Sequence, residues 1–231
     1  MSSGQIFLEW LKGKGPREED IDVFCGCDRC KSFAHNHVCV ITPDRPPICG
    51  MFDWDMIKDQ IGKKERTFEV PKGECLDPIK GEYAGVNKIV YERSNKSYKR
   101  FYLHSIFGPL HTSCGCFEAV AFYIKEVDGI GIVDRNFGGE FMRWKNIEEI
   151  VERTGGGGQK EGLMGIATTY LQSPKFLQGD GGWNRVVWMT ERLKNLIPEW
   201  VPASLRERIA TENNARSIEE LKSFIDKNKG R

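Results

Sequence analysis

CGCDRCKSFAHNHVCVITPDRPPICG, residues 25–50, holds five of the eight cysteines in this 231-residue chain. Cys27, Cys30, Cys39 and Cys49 stand in the spacing C-x2-C-x8-C-x9-C. Three prolines (Pro43, Pro46, Pro47) and little hydrophobic periodicity predict an ordered loop wrapped around something. Four thiolates on one proline-stiffened loop suit a tetrahedral Zn²⁺ or the corners of an iron–sulfur cubane, and spacing alone does not choose. Structural zinc more often shows two C-x2-C knuckles, and the ferredoxin run C-x2-C-x2-C is also absent. The blander alternative is a set of buried free cysteines, since free Cys is a common core residue.

Outward from this stretch, Cys75 stands alone and Cys114-Gly115-Cys116 forms a second group, with no cysteine after it. The two thiolates of the tripeptide and the deprotonated amide nitrogens of Gly115 and Cys116 offer four donors in one plane. That is an N2S2 site, the square-planar geometry preferred by Ni(II) or Cu(II) and not by Zn²⁺. Gly115 lacks a Cβ, so the backbone can wrap closely. Alone, the tripeptide reads equally as a turn or a redox pair. Beside four thiolates it says more, because a thiolate sulfur can bridge two metals. Gly115→Pro is expected to remove one nitrogen donor while sparing both thiolates.

The rest of the chain predicts an α+β fold. Lys plus Arg number 34 against 33 Asp plus Glu, a net charge of +1, which lacks the footprint of a general nucleic-acid binder. No stretch of 18 apolar residues exists to span a membrane. The first twenty residues do not read as a secretory signal, so the expected compartment is the cytoplasm, with reduced thiols. A short helix is expected within 5–24, although Gln5 to Leu11 also suits a strand. Strands are expected at 86–92, 98–104, 117–124 and 130–134. Helices are expected at 146–153, 162–172, 188–196, 203–211 and 217–227, the last opening with a Ser217/Glu220 capping box. Strands first and helices later predict one α+β domain over 1–231 with a mixed or antiparallel sheet and an N-terminal metal-binding loop. Gly155 to Gly158 reads as a turn; lacking the terminal Gly-Lys-Ser/Thr, it is no phosphate loop.

Residues 25–50, HTSCGCFEAVAFYI (111–124) and SPKFLQGDGGWNRVVWM (173–189) together resemble the C-terminal domain of acetyl-CoA synthase, from about Asp20 onward. The resemblance implies that Cys27, Cys30, Cys39 and Cys49 hold a [4Fe-4S] cluster and that Cys30 also bridges to a proximal nickel. It implies a distal nickel in the N2S2 plane of Cys114, Gly115 and Cys116, with zinc or copper able to replace the proximal metal. Phe33 matches a phenylalanine beside that metal, although an isolated aromatic is as often plain core. Cys25 and Cys75 fit no family position and are expected to be spectators. His35 and His37 are expected to orient backbone or sulfur, not to bind metal.

The implied activity is acetyl-CoA synthesis from carbon monoxide, a corrinoid-borne methyl group and coenzyme A. The implied partners are a methyl-corrinoid iron–sulfur protein and carbon monoxide dehydrogenase. Family members carry further domains ahead of this one, for that dehydrogenase and for part of coenzyme A binding. With about twenty residues before the first cysteine, an excised or minimal form is expected. Two rivals use the same cysteines: a [4Fe-4S] electron-transfer or redox-sensing module, and a zinc-stabilised interaction domain.

Overall fold

In a computed structural model, residues 15–32, 34–109, 115–137 and 161–228 are described. The expected elements at 5–11 and 146–153 and the Gly155–Gly158 turn lie outside them. Five helices and nine strands in mixed sheets make an α+β fold among the described residues.

The cysteine-rich stretch is more regular than the expected loop. Strand β1 (Val23–Cys27) pairs antiparallel with β2 (Cys39–Ile41), Cys27 opposite Cys39 and Cys25 opposite Ile41. Strand β3 (Thr67–Pro71) pairs on the other side of β1, giving the order β2-β1-β3. Side chains alternate between the two faces of this sheet. Phe24, Val38, Val40 and Val70 enter one core cluster, while Cys25, Cys39 and Ile41 enter another, with Cys27 packed against it. The period of two therefore turns the odd-numbered cysteines of the hairpin towards the same side.

Helix α1 (Trp54–Lys58) begins at Asp53, whose carboxylate accepts the Met56 N–H at 2.8 Å. After it come a small hairpin, β4 (Cys75–Asp77) with β5 (Glu82–Tyr83), and helix α2 (Ala84–Arg93). The strand expected at 86–92 is this helix. Val86 and Val90, four apart, are both fully buried, and a short β-branched run concealed that helical spacing. Residues 98–104 form no strand either: Tyr98, Phe101, Tyr102 and Leu103 are all buried in an irregular segment, with Asn87 accepting the Phe101 N–H at 2.7 Å.

The second large sheet is built from β6 (Ala119–Ile124), β7 (Gly129–Asp134), β8 (Leu163–Ile166) and β9 (Val186–Met189), in the order β8-β6-β7-β9. Strands β6 and β7 match the expectation, and Asp128 turns between them with φ 47°. The helix expected at 162–172 is instead β8 followed by a 3-10 turn, and that expected at 188–196 is the end of β9 plus helix α3 (Glu191–Lys194). Both strands are buried on their two faces, so their continuous apolar runs carry no period of two. Helices α4 (Ala203–Glu207) and α5 (Ile218–Asn228) follow. Glu220 N–H donates to Ser217 Oγ at 3.1 Å as expected; the Glu220 carboxylate reaches back to Arg216 N–H, one residue further than a standard capping box.

Val120, Phe122 and Ile124 of β6 face the same cluster as Cys25 and Cys39, whereas Ala119 and Ala121 face the opposite one. The two large sheets thus share a core, and the cysteine hairpin lies against the start of β6. Among the described residues no helix is long and apolar enough to cross a membrane.

Candidate metal centre

Between β1 and β2 the chain turns through a 3-10 helix, Arg29–Ser32, which carries Cys30. Ala34 N–H donates to Cys30 O and His37 N–H to Ala34 O, so successive tight turns hold the tip. Asp28, 4% exposed, anchors it through Lys31 at 3.7 Å and Arg93 at 3.5 Å. Asn95, past the end of α2, donates to His35 O at 3.0 Å and Asn36 Oδ1 at 3.1 Å. This His35 contact is made by its backbone.

Cys49 arrives on another turn, closed by Gly50 N–H to Pro47 O. Gly50 has φ +65°, and a Cβ on it would lie 2.4 Å from the Glu118 carboxyl carbon. Glu118 N–H donates to Ile48 O, and its carboxylate accepts from Thr168 N–H at 2.7 Å and Thr168 Oγ1 at 2.9 Å. Glu118 therefore seams the Cys49 turn to the segment carrying Cys116, two residues before it.

Burial pushes the Cys27, Cys30 and Cys39 thiols up, and neighbouring thiolates push them further. Cys49 acts on all three, and Cys27 on Cys30 and Cys39. The four cysteines of the C-x2-C-x8-C-x9-C spacing thus share one electrostatic neighbourhood. Cys25 behaves differently. Burial lifts it to about 11, and the charges that act on it are Lys58, Glu69 and Asp55, with no thiol among them. Cys75 is exposed in the small hairpin.

Cys30 Sγ lies 3.8 Å from Cys116 Sγ, across 86 residues of sequence. The contact joins the four-cysteine loop to the Cys-Gly-Cys tripeptide. Cys116 is disulfide-bonded, so reduction must precede its service as a thiolate. Gly115 has φ +78°, with nothing within 4 Å of an added Cβ. Proline is locked near φ −65°, so Gly115→Pro would break the local backbone as well as remove an amide hydrogen. The clean separation expected of that substitution does not hold. Cys114 and Phe33 lie outside the described residues.

Among the described residues, no three His, Cys, Asp or Glu side chains are arranged to hold a metal ion directly. As donors, thiols that act on one another electrostatically, with the Cys116 sulfur in contact with Cys30, are of the soft kind that suits thiophilic metals and iron–sulfur clusters.

Behind the loop is a buried polar group not anticipated from sequence. Glu18, fully buried, accepts from His104 Nε2 at 3.0 Å, from Lys175 Nζ at 3.1 Å and from Thr42 Oγ1. Its N–H donates to Asp44 Oδ2, and Asp44 also pairs with Arg17 at 2.5 Å. Thr42 and Asp44 thus tie the proline-rich half of the loop to the Glu18 segment. Isolated charged residues in REED and TPDRPP carried no period to signal it. His37 is 2% exposed, with Nε2 3.0 Å from Cys39 Sγ, in keeping with a histidine that orients sulfur.

The beta subunit of the acetyl-CoA decarbonylase/synthase complex of Methanothermobacter thermautotrophicus is 49% identical over 213 residues, which is 91% of this chain and 46% of that protein. The corresponding subunit of Methanopyrus kandleri is 48% identical over 218 residues, 94% of this chain and 47% of its own. The chain thus spans about half the length of these curated relatives. Among solved structures, the C-terminal domain of the acetyl-Coenzyme A synthase alpha subunit shares 29% identity over 51% of this chain and 92% of its own, with a TM-score of 0.45. The family model for the C-terminal region of the ACS/CODH beta subunit matches residues 12–230, and the chain belongs to that family.

Proposed function

We propose that this chain carries the metal centre at which an acetyl group is joined to, or taken from, coenzyme A. In this reading Cys27, Cys30, Cys39 and Cys49 hold a [4Fe-4S] cluster. Cys30, Cys114 and Cys116, with the amides of Gly115 and Cys116, would hold two nickel ions beside it. When bound, that group supplies an electron-rich, coordinatively open centre for combining carbon monoxide, a methyl group and the coenzyme A thiolate. The chain's own contribution is placement. The Asp28 ion pairs and the Asn95 contacts hold the Cys30 turn, and Glu118 holds the Cys49 turn against Cys116.

The observation that carries the reading is the 3.8 Å contact between Cys30 and Cys116. An electron carrier or a zinc module has no need of a fifth cysteine there. The relatives are named for both synthesis and decarbonylation, and one centre serves both directions of a reversible reaction. The proposed partners are a methyl-corrinoid iron–sulfur protein, carbon monoxide dehydrogenase and coenzyme A, as befits relatives that are subunits of a complex.

Anaerobic reconstitution with iron, sulfide and nickel tests the proposal. The expected uptake is about four iron and two nickel per chain, with acetyl transfer only when nickel is present. Iron uptake without nickel supports the electron-transfer rival, and tight zinc binding with refusal of iron supports the interaction-domain rival.

A further inference from the structure

Past the end of α2, Asn95 and Lys96 both take left-handed backbone, with φ 54° and 63°, and turn the chain sharply. Lys99 and Arg100 leave this turn to line an open cavity of about 470 Å³, with Tyr98, Tyr102, Gly108 and Pro109. A cavity of this size takes a small organic ligand. Gly108, at φ +97°, brings its backbone onto the phenol ring: an added Cβ would lie 2.7 Å from Tyr102 Cε2.

The lining is basic and planar. Arg100 donates twice to Glu82, at 2.7 and 2.6 Å, and its guanidinium lies over the Tyr102 ring at 5.2 Å. Glu82 thus fixes the arginine plane, while a side chain 57% exposed leaves the other face of that plane to solvent. Lys80 Nζ lies 5.0 Å from the same Tyr102 ring. Glu161 is the second carboxylate nearby and accepts the Gly108 N–H at 3.2 Å. Among the described residues Lys80 and Lys99 make no ion pair, which leaves two ammonium groups for a ligand. A base can stack on an arginine plane, and lysine binds phosphate as a point charge.

Two paths lead from the cavity to the metal centre. Asn95, at the turn, holds the Cys30 loop through His35 O and Asn36 Oδ1. Pro109, on the lining, stands six residues before Gly115, a span of at most about 22 Å. Coenzyme A has its nucleotide at one end of a long flexible arm and its thiol at the other, and such an arm bridges a separation of that order.

We infer that this cavity binds the adenosine-phosphate end of coenzyme A. Lys99 and Lys80 meet its phosphates, the open face of Arg100 meets the adenine, and the arm carries the thiol towards Cys30 and Cys116. The choice of coenzyme A rests on the function proposed above.

Calorimetric titration of the metal-free chain under reducing conditions tests the assignment with coenzyme A, adenosine 3′,5′-bisphosphate and pantetheine. The first two should bind, both more weakly as salt is raised. Lys99 is exposed, so Lys99→Glu should melt as the parent does, yet raise both Kd values at least about tenfold. Lys80→Glu should act in the same direction, and Lys99→Arg should stay near the parent. Arg100→Lys keeps the charge beside Glu82 but gives up the plane, and should weaken coenzyme A binding about threefold. Pantetheine lacks the nucleotide and should not distinguish parent from Lys99→Glu.

Equal Kd values for coenzyme A in the parent, Lys99→Glu and Lys80→Glu overturn the inference. So does a parent that binds neither coenzyme A nor the bisphosphate, or pantetheine binding weakened by Lys99→Glu as much as coenzyme A binding is. Binding of the bisphosphate without coenzyme A makes a free nucleotide the occupant and also overturns it. Failure of the metal reading is a separate result: that chain takes up no iron or nickel, whatever Lys99→Glu does to nucleotide binding.

Discussion

At Gly115 the obstacle to substitution is the backbone and not the space around it, since a Cβ meets nothing within 4 Å while φ is +78°. An L residue in that left-handed region costs about 1–2 kcal/mol, with Asn tolerated best. Glycolic acid in place of Gly115 is therefore the direct probe of the amide: it keeps the conformation and replaces N–H by oxygen. It should abolish square-planar nickel, read by its absorption spectrum, and leave the iron content at the parental level. Gly115→Asn should retain both metals. Cys30 presents the complementary case. Because its sulfur meets Cys116 and also feels Cys27 and Cys49, Cys30→Ser should lower both iron and nickel. Cys25→Ser and Cys75→Ser should leave both near the parental values by metal analysis. These proposed roles could be read from the sequence because cysteine spacing is a chemical pattern. The role of Glu18 could not: a glutamate in a run of charged residues looks like surface until its burial is known.

Among the elements, the seam between the Cys49 turn and β6 is held by a glycine that admits no side chain. Gly50→Ala would place a methyl group 2.4 Å from the Glu118 carboxyl carbon at φ +65°. The clash and the left-handed backbone should together cost about 2–4 kcal/mol in denaturant unfolding. They should also lower both iron and nickel uptake, because Gly50 adjoins Cys49 and the displaced Glu118 lies two residues from Cys116. The reading of elements from sequence succeeded where a pattern met one face and failed where burial erased the pattern. Strands β6 and β7 and helix α5 were recognisable. LMGI and VVWM were not, since every residue of β8, and all but one of β9, is buried. The segment VNKIVYE misled in the opposite sense, its β-branched residues spaced so that Val86 and Val90 share one helical face.

For the molecule as a whole, the buried carboxylate of Glu18 makes folding depend on acidity. Burial opposes its ionisation, yet His104, Lys175 and Thr42 outweigh that and hold it down at about 2. A carboxylate whose pKa is depressed by folding stabilises the native state above its ordinary range near 4.5, and that stability is lost as pH falls towards 2. Chemical denaturation between pH 7 and 3 should therefore show a steep acid decline in the parent and a shallower one in Glu18→Gln. The variant should also be less stable at pH 7 by about 3–5 kcal/mol, because Lys175 and His104 lose their anion. The contact between Cys30 and Cys116 bears on the unfolded chain as well. Their sulfurs are 86 residues apart, and a metal gripping both would tie that length into a closed ring. In polymer terms such a tie acts as a disulfide does, removing disorder from the unfolded ensemble worth about 4–5 kcal/mol for a ring of this size. Stripping metal with a chelator under reducing conditions should thus lower the melting temperature markedly, and Cys116→Ser should melt alike with or without nickel. The centre would then serve as the knot that keeps the two sheets from parting, apart from any chemistry performed there.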